Sequence, residues 1–329
     1  MNSTEIRTMD IFCGAGGSSH GAQNAGATIV AGIDMWQPAV LTFRANFPNA
    51  SVYDKDIRDL CPEEIKEAIG DIDLLLASPE CTNHSRAKGN GERSEDSKRT
   101  AFEVVRFARV FQPEWIVIEN VVEMQEWEGH RELRQNLEED LKYMVKEVVL
   151  NARDFGVPQS RRRLFLLCSR SGRPIPPSNQ ENSVSVDEVI DKTDKYTFSL
   201  LEKPGRAAKT VSTAKRAIST LGEDARFLLV YYGTDRKRGK NGGWQKVTEP
   251  LRTVTTLDRF AYVVPDQSGH MMRMLQPEEL KLAMGFSSDY KLDAVEGLVR
   301  KERVKLMGNG VCPPVMKMIV KNLTGQTAN

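Results

Sequence analysis

Between Arg7 and Cys168 the chain alternates short apolar runs with stretches of helical apolar spacing, and this alternation constrains the fold most. Runs at Arg7–Phe12, Thr28–Ile33, Asp73–Ala77, Trp115–Glu119, Lys146–Ala152 and Leu164–Cys168 read as strands. Between them, Ser18–Ala25, Pro38–Asn46, Pro62–Ile69, Ala101–Phe111 and Glu132–Val145 read as helices. Strands separated by helices pair mostly in parallel, in a sheet covered on both faces. The expected fold class is α/β, with a doubly wound, Rossmann-like sheet and a second, smaller, irregular β-rich domain.

The texture changes after Arg170. Ser171–Val184 is rich in Pro and Ser and reads as a loop or linker. Short β-rich pieces follow at Phe227–Tyr232, Arg252–Thr256 and Ala261–Val264, separated by Gly/Lys/Arg loops such as Asp235–Gly243. Pro277–Met284 and Glu302–Leu306 return to helical spacing. Residues 1–170, completed by 302–329, are therefore expected to form the larger domain, and 171–301 the smaller.

Charge is distributed unevenly. The 329 residues net +1, yet residues 201–260 hold 13 Lys and Arg against 6 Asp and Glu. A basic region of that kind is either a solvated face or a surface for a polyanion such as nucleic acid, and its concentration favours the second. Uncharged apolar residues never run long enough for a membrane span, and MNSTEIRTMD lacks the order of a secretory signal. Five scattered cysteines without a CxxC pair fit neither a disulfide framework nor a zinc site, so a cytoplasmic chain with reduced thiols and no metal is expected.

Chemistry-bearing residues gather at the ends of the expected strands. Asp10–Gly17 (DIFCGAGG) puts Gly14, Gly16 and Gly17 between the first strand and a helix, where glycines permit a tight turn and close approach to a ligand. The spacing is not GxGxxG, so a nucleoside-type cofactor is indicated without specifying a dinucleotide. Asp34 and Asp56 close the next strands; each suits a ribose or adenine contact, and each reads equally well as a helix N-cap. Cys81, in the polar segment Ser78–Ser85 (SPECTNHS), lies where such sheets carry out their chemistry. The segment Arg86–Arg99 reads as a cationic lid. Glu119 ends an apolar strand, so desolvation should raise its pKa and let it donate a proton. Alternation sends Arg161 and Arg163 of Gln159–Arg163 (QSRRR) to one side.

In this order, these segments resemble the C5-cytosine DNA methyltransferase family over nearly the whole chain. Asp10–Gly17 resembles its first cofactor motif, Ser78–Ser85 its Pro-Cys motif, Glu119–Val121 (ENV) its Glu-Asn-Val motif and Gln159–Arg163 its Gln-x-Arg-x-Arg motif. Arg273–Phe286 and Gly308–Val311 (GNGV) resemble its last two. The resemblance implies methyl transfer from S-adenosylmethionine to C5 of a cytosine flipped out of double-stranded DNA, with Cys81 as nucleophile and Glu119 bonding the base. Arg163, with Arg161, would anchor the base, and Ser85 and Gln159 would contact substrate. Phe12, Gly14, Gly16, Gly17, Asp34, Met35, Asp56, Ile57, Asn309 and Val311 would hold the cofactor, with Trp36 as an alternative stacking residue to Met35. Residues 171–270 would recognise the target. A monomer at the nucleoid, serving genome modification or a restriction or defence system, is expected. RNA cytosine methylation and a silent nucleic-acid-binding protein are the alternatives. One departure stands out: Glu80 and Thr82 occupy positions where the family usually has Pro and Gln. Glu80 places a carboxylate beside the thiol and would raise its pKa unless it points toward a cation.

Overall fold

The computed structural model describes residues 5–79, 100–179, 183–232 and 242–325. The larger sheet contains β1 (Ile6–Ile11), β2 (Ala27–Asp34), β3 (Ser51–Asp54), β4 (Leu74–Ala77), β5 (Trp115–Asn120), β6 (Met144–Asn151) and β8 (Arg162–Ser169), in the order β3-β2-β1-β4-β5-β8-β6. β7 (Gln159–Ser160) lies outside it. The first five strands pair in parallel, and β8 is antiparallel to both β5 and β6.

Period-two burial explains why both faces are covered. Leu74 and Leu76 enter one core while Leu75 and Ala77 enter the other, and Phe165 and Leu167 oppose Leu164, Leu166 and Cys168 in the same way. The first core takes α1 (Gly17–Gln23) and α2 (Gln37–Asn46) through Ala22, Ala39 and Phe43. The second takes α3 (Pro62–Ile69) and α4 (Glu103–Phe111), the latter through Val104, Phe107, Ala108 and Phe111. Proline in the first turn starts α2 and α3, where its missing N–H has no intrahelical partner to lose.

The helix expected over Glu132–Val145 is displaced. α5 spans Glu128–Gln135, one π-type turn follows at Asn136–Asp140, and β6 has begun by Met144. The Trp127 ring lies so close over Gly129 that a Cβ there would meet it, which fixes the helix start early. Lys142, left-handed at φ 62°, turns the chain out of helix before the strand.

A second sheet of five antiparallel strands runs β11-β10-β13-β14-β9, formed by β9 (Ser199–Leu200), β10 (Phe227–Val230), β11 (Trp244–Lys246), β13 (Phe260–Asp266) and β14 (Gly269–Met274). One face, with Phe227, Leu229, Ala261 and Val263, packs on α6 (Ala208–Leu221). The other, with Leu228, Val230, Phe260 and Tyr262, joins the larger body's core. Sequence patterning missed α6, because its buried positions Thr210, Thr213, Ala214, Ala217 and Ile218 are mostly small or polar despite their helical spacing. The strand expected over Arg252–Thr256 is also reassigned. β12 (Leu251–Arg252) leaves the second sheet and pairs in parallel with β7. The described part of Ser171–Val184 has neither helix nor strand. The chain closes with α7 (Pro277–Ala283), α8 (Arg300–Asn309) and α9 (Pro313–Leu323).

Candidate active site

Strand order reverses between β1 and β4, which opens a crevice at their carboxyl ends. A cavity of about 550 Å³ occupies it. Each neighbouring strand contributes residues at or just beyond its end: Phe12–Ala15 after β1, Ile33 and Asp34 at the end of β2 with Met35 and Trp36 after it, Lys55–Arg58 after β3, Ser78 and Pro79 after β4, and Glu119 near the end of β5. The C-terminal segment supplies the remaining wall through Lys305, Leu306, Asn309, Gly310 and Val311.

The turn after β1 is strained at its first residue. Phe12 is left-handed at φ 61°, an unfavourable conformation for an aromatic side chain, costing about 1–3 kcal/mol. The Cys13 N–H donates to the Ile33 carbonyl (3.0 Å), tying the turn to β2. Gly14, at φ 53°, has nothing near its missing Cβ, whereas a Cβ on Gly17 would overlap the Val311 carbonyl. Gly17 therefore permits the C-terminal wall to close on the turn. Gly16 does not line the cavity; it packs beneath, where a Cβ would strike the Phe47 ring and the Tyr290 hydroxyl.

Both Asp34 oxygens are held by backbone: Gly14 N–H donates to Oδ2 (2.8 Å) and Trp36 N–H to Oδ1 (2.9 Å). Burial raises its pKa despite these donors. Met35 and Trp36 both line the cavity; Met35 is 66% exposed, and the Lys305 ammonium lies 4.2 Å from the Trp36 ring centroid. Asp56 caps the turn Ile57–Asp59 by accepting the Arg58 N–H (3.0 Å). The Arg58 guanidinium also grips both Asp56 oxygens (3.0 and 2.6 Å) and lowers its pKa. The N-cap reading and the cavity-lining reading thus hold together for Asp56.

Glu119 is buried, at 6% exposure, and Arg163 Nε lies 3.1 Å from its Oε1. Burial raises its pKa, against the opposing pull of the Arg163 and Arg161 cations. Asn120 next to it donates from Nδ2 to the Pro79 carbonyl (3.2 Å) and accepts the Val121 N–H at Oδ1 (2.8 Å). That pair ties the end of β5 to the end of β4, two residues before Cys81 in sequence. Cys81 and Ser85, together with Glu80, Thr82 and the expected lid, lie outside the described residues.

Besides Gly16, three expected site residues do not line the cavity: Gln159, Arg161 and Arg163, the last reaching it only through Glu119. Gln159 is fully buried: its Nε2 donates to the Ala283 carbonyl (3.2 Å) and Met284 Sδ (3.0 Å), and its Oε1 accepts the Val254 N–H (2.9 Å). Both ends of its amide are thus bonded inside the protein, which ties β7 to Val254 and to Ala283–Met284. Arg161 also does not line the cavity and bonds backbone carbonyls instead. Sequence reasoning overlooked Lys305, although it sits one helical turn before Asn309 and so shares its face. Arg58 and Ser78 were missed too; only their place just after a strand end could have signalled them. Among the described residues no cluster fits a metal ion, and no helix is long and apolar enough to cross a membrane.

The model of C-5 cytosine-specific DNA methylases matches residues 6–325. The chain belongs to that family. The Type II methyltransferase M.AgeI of Thalassovita gelatinovora is 34% identical over 324 residues, covering 93% of this chain and 70% of that protein. M.DdeI of Desulfomicrobium norvegicum is 33% identical over 200 residues, but there the match spans only about half of the relative's length (48%) and 56% of this chain. Among solved structures, a mutant DNMT2 of Spodoptera frugiperda superposes with a TM-score of 0.72 at 18% identity, covering 97% of this chain and 99% of that one. At that identity the likeness speaks for the methylase fold, with its mostly parallel sheet and separate antiparallel sheet.

Proposed function

We propose that the protein transfers a methyl group from S-adenosylmethionine to C5 of a cytosine extruded from double-stranded DNA. The observation that carries this reading is the single cavity joining a nucleoside-shaped cradle to the buried carboxyl group of Glu119. The cradle's chemistry suits the cofactor. Phe12, Ile57 and Trp36 offer apolar and aromatic surface for a purine, the carboxylates of Asp34 and Asp56 suit ribose hydroxyls and an exocyclic amine, and about 550 Å³ lies within the usual range of ligand pockets. Gly14 leaves the approach open, and Asn309 and Val311 close the far side. When bound, the cofactor supplies an electrophilic methyl group on sulfur.

Every other step falls to the chain. Cytosine C5 is a weak nucleophile, so the Cys81 thiolate adds to C6 and makes C5 enamine-like. Glu119, whose pKa burial raises, donates to N3 in its protonated form and accepts from the exocyclic amine, with Arg163 fixing its carboxyl group. After methylation a water molecule takes the C5 proton, and the freed electron pair expels Cys81 from C6 as thiolate, restoring the aromatic ring. Asn120, through Pro79, sets the end of the strand that leads to Cys81. The basic stretch within 201–260 holds DNA phosphates, and residues 171–301 act as the target recognition domain. A monomer acting at the bacterial nucleoid, in genome modification or beside a restriction or defence system, completes the reading.

Nucleoside mass spectrometry tests it. The protein is incubated with S-adenosylmethionine and unmethylated genomic DNA, with transfer RNA in parallel and Cys81→Ser as control. New 5-methylcytosine in DNA is expected, falling by roughly a thousandfold or more in the variant while cofactor and DNA binding persist. Methylated RNA with blank DNA would transfer the assignment to RNA.

A further inference from the structure

β3 is the edge strand of the larger sheet: four residues long, none of them buried, and paired with β2 alone among the described residues. The turn that follows it nevertheless carries Asp56, Ile57 and Arg58 to the cavity. Asp56 caps the amino end of that turn from within. Its carbonyl end is held from outside, by Arg106 on α4. Arg106 Nη2 donates to the Ile57 carbonyl (2.6 Å) and Nη1 to the Leu60 carbonyl (2.7 Å), across 49 and 46 residues of sequence. Glu103, one helical turn earlier on α4, accepts from Nε (2.7 Å), and the guanidinium carbon lies 5.1 Å from the Phe107 ring centroid. Arg106 itself does not line the cavity.

The guanidinium is thus fixed by its own helix before it meets the turn, and Phe107 beneath it is wholly buried in the second core. A planar fork can serve two carbonyls three residues apart while a further N–H stays on a carboxylate; an ammonium on a flexible stem lacks that geometry. The Ile57 carbonyl already accepts the Leu60 N–H of its own turn (3.3 Å), so Arg106 adds the bonds that orient the turn as a unit against α4. Packing of α3 on α4 has a tie of its own, from Lys66 Nζ to the Val110 carbonyl (3.1 Å), by a route that bypasses the turn.

We propose that Arg106 is a positioning residue for the purine of the cofactor, acting through the Ile57 and Leu60 carbonyls to set Asp56 and Ile57 against the base. This rests on the S-adenosylmethionine reading above and extends it to a side chain outside the cavity. A hydrogen bond tolerates displacements of only a few tenths of an ångström. A turn released from Arg106 therefore loses the exocyclic amine first, while the Gly14 and Asp34 side of the cradle, tied by its own bond, stays in place.

Calorimetric titration of the full chain with S-adenosylhomocysteine and with its inosine analogue, which lacks the amine, tests this. The wild type should prefer the first roughly tenfold. In Arg106→Ala, affinity for S-adenosylhomocysteine should fall about tenfold and that for the inosine analogue by no more than about twofold, so that the preference closes. Glu103→Ala, which removes the carboxylate on Nε and leaves both carbonyl bonds, should give an intermediate preference and serves if Arg106→Ala does not fold. Lys66→Met separates positioning from packing. It deletes the bond to Val110 and the ion pair with Asp71, so the melting temperature should fall while the preference stays that of the wild type. In methylation assays on DNA, Arg106→Ala should raise KM for S-adenosylmethionine with kcat within about twofold, because the turn holds the base and not the reacting atoms. A preference kept in both Arg106→Ala and Glu103→Ala, one lost equally in Lys66→Met, or a fall in kcat without a rise in KM would each overturn the proposal. A wild type that binds S-adenosylhomocysteine without preference overturns it too and leaves the cofactor assignment standing, whereas one that binds neither ligand removes that assignment itself.

Discussion

The two sheets bury both faces by different means, and the difference explains where the chemistry sits. In the larger sheet most strand positions are apolar on both faces, and the polar groups that line the cavity lie at strand ends. Asp34, Asp56 and Glu119 therefore meet in one cavity from positions far apart in sequence. In the smaller, antiparallel sheet, α6 covers one face and the main core the other. The part of the sequence that forms much of it, residues 201–260, is the basic one. The first region is built for selective placement of a few groups, the second for broad charge complementarity. Substitutions in the first should thus act on catalysis and cofactor, and those in the second on salt-dependent DNA affinity.

Glu119→Gln is the strongest test of that division. It keeps shape but removes the proton donor, so turnover should fall about 10²–10⁴-fold with DNA affinity little changed. A comparable loss of DNA affinity would mean that the regions are not separable. Asp10 gives the next largest effect. It is fully buried under β1, with Ser19 Oγ donating to its Oδ2 (2.6 Å), and burial pushes its pKa up to about 7 from the ordinary 3.8. Between those values the folded protein keeps a proton that the unfolded chain has lost. The contribution of Asp10 to stability is therefore fully present below about pH 4 and is lost as pH rises toward 7, by up to about 4 kcal/mol. Melting temperatures of the wild type and Asp10→Asn, compared from pH 4 to 8, should diverge in slope; parallel curves would contradict a protonated Asp10. For the second region, replacing Arg236, Lys237 and Arg238 by Ala should lower the slope of log K against log salt by about 2–3, roughly one per phosphate contact, with turnover at saturating DNA retained. A large fall in turnover would tie the basic stretch to catalysis.

Much of this was legible in the sequence because parallel sheets obey strong rules. Strand and helix alternation up to Cys168 predicts the topology, and topology brings Phe12, Asp34, Asp56 and Glu119 together. The desolvation expected for Glu119, at the end of an apolar strand, is present. What escaped depends on contacts that local pattern does not encode. α6 buries threonines and alanines, so its apolar signal is weak. Arg161 and Gln159 share a motif with Arg163, and only tertiary structure shows that they bind backbone or pack against Met284 while Arg163 meets Glu119. Arg252–Thr256 has a strand's composition, but its pairing partner lies in the larger body.

The smallest expected effect bears on Asp56, where a structural and a ligand role coincide. As N-cap it contributes about 1 kcal/mol of local stability, which Asp56→Ala should remove. As a cradle carboxylate it has a further function only if its oxygens can still accept from a ligand. Oδ1 already accepts both the Arg58 N–H and its Nε–H, whereas Oδ2 accepts only Nη2, and a carboxylate offers about two acceptor sites per oxygen, so room remains at Oδ2 for an exocyclic amine. Asp56 therefore predicts discrimination: S-adenosylhomocysteine should bind the wild type roughly tenfold more tightly than its inosine analogue, which lacks the amine. In Asp56→Ala that preference should shrink toward none, while the stability loss stays near that of a cap. Calorimetric titration of both ligands against both proteins separates the roles. A preference that survives the substitution would leave Asp56 a cap alone and shift recognition of the amine to another wall of the cavity.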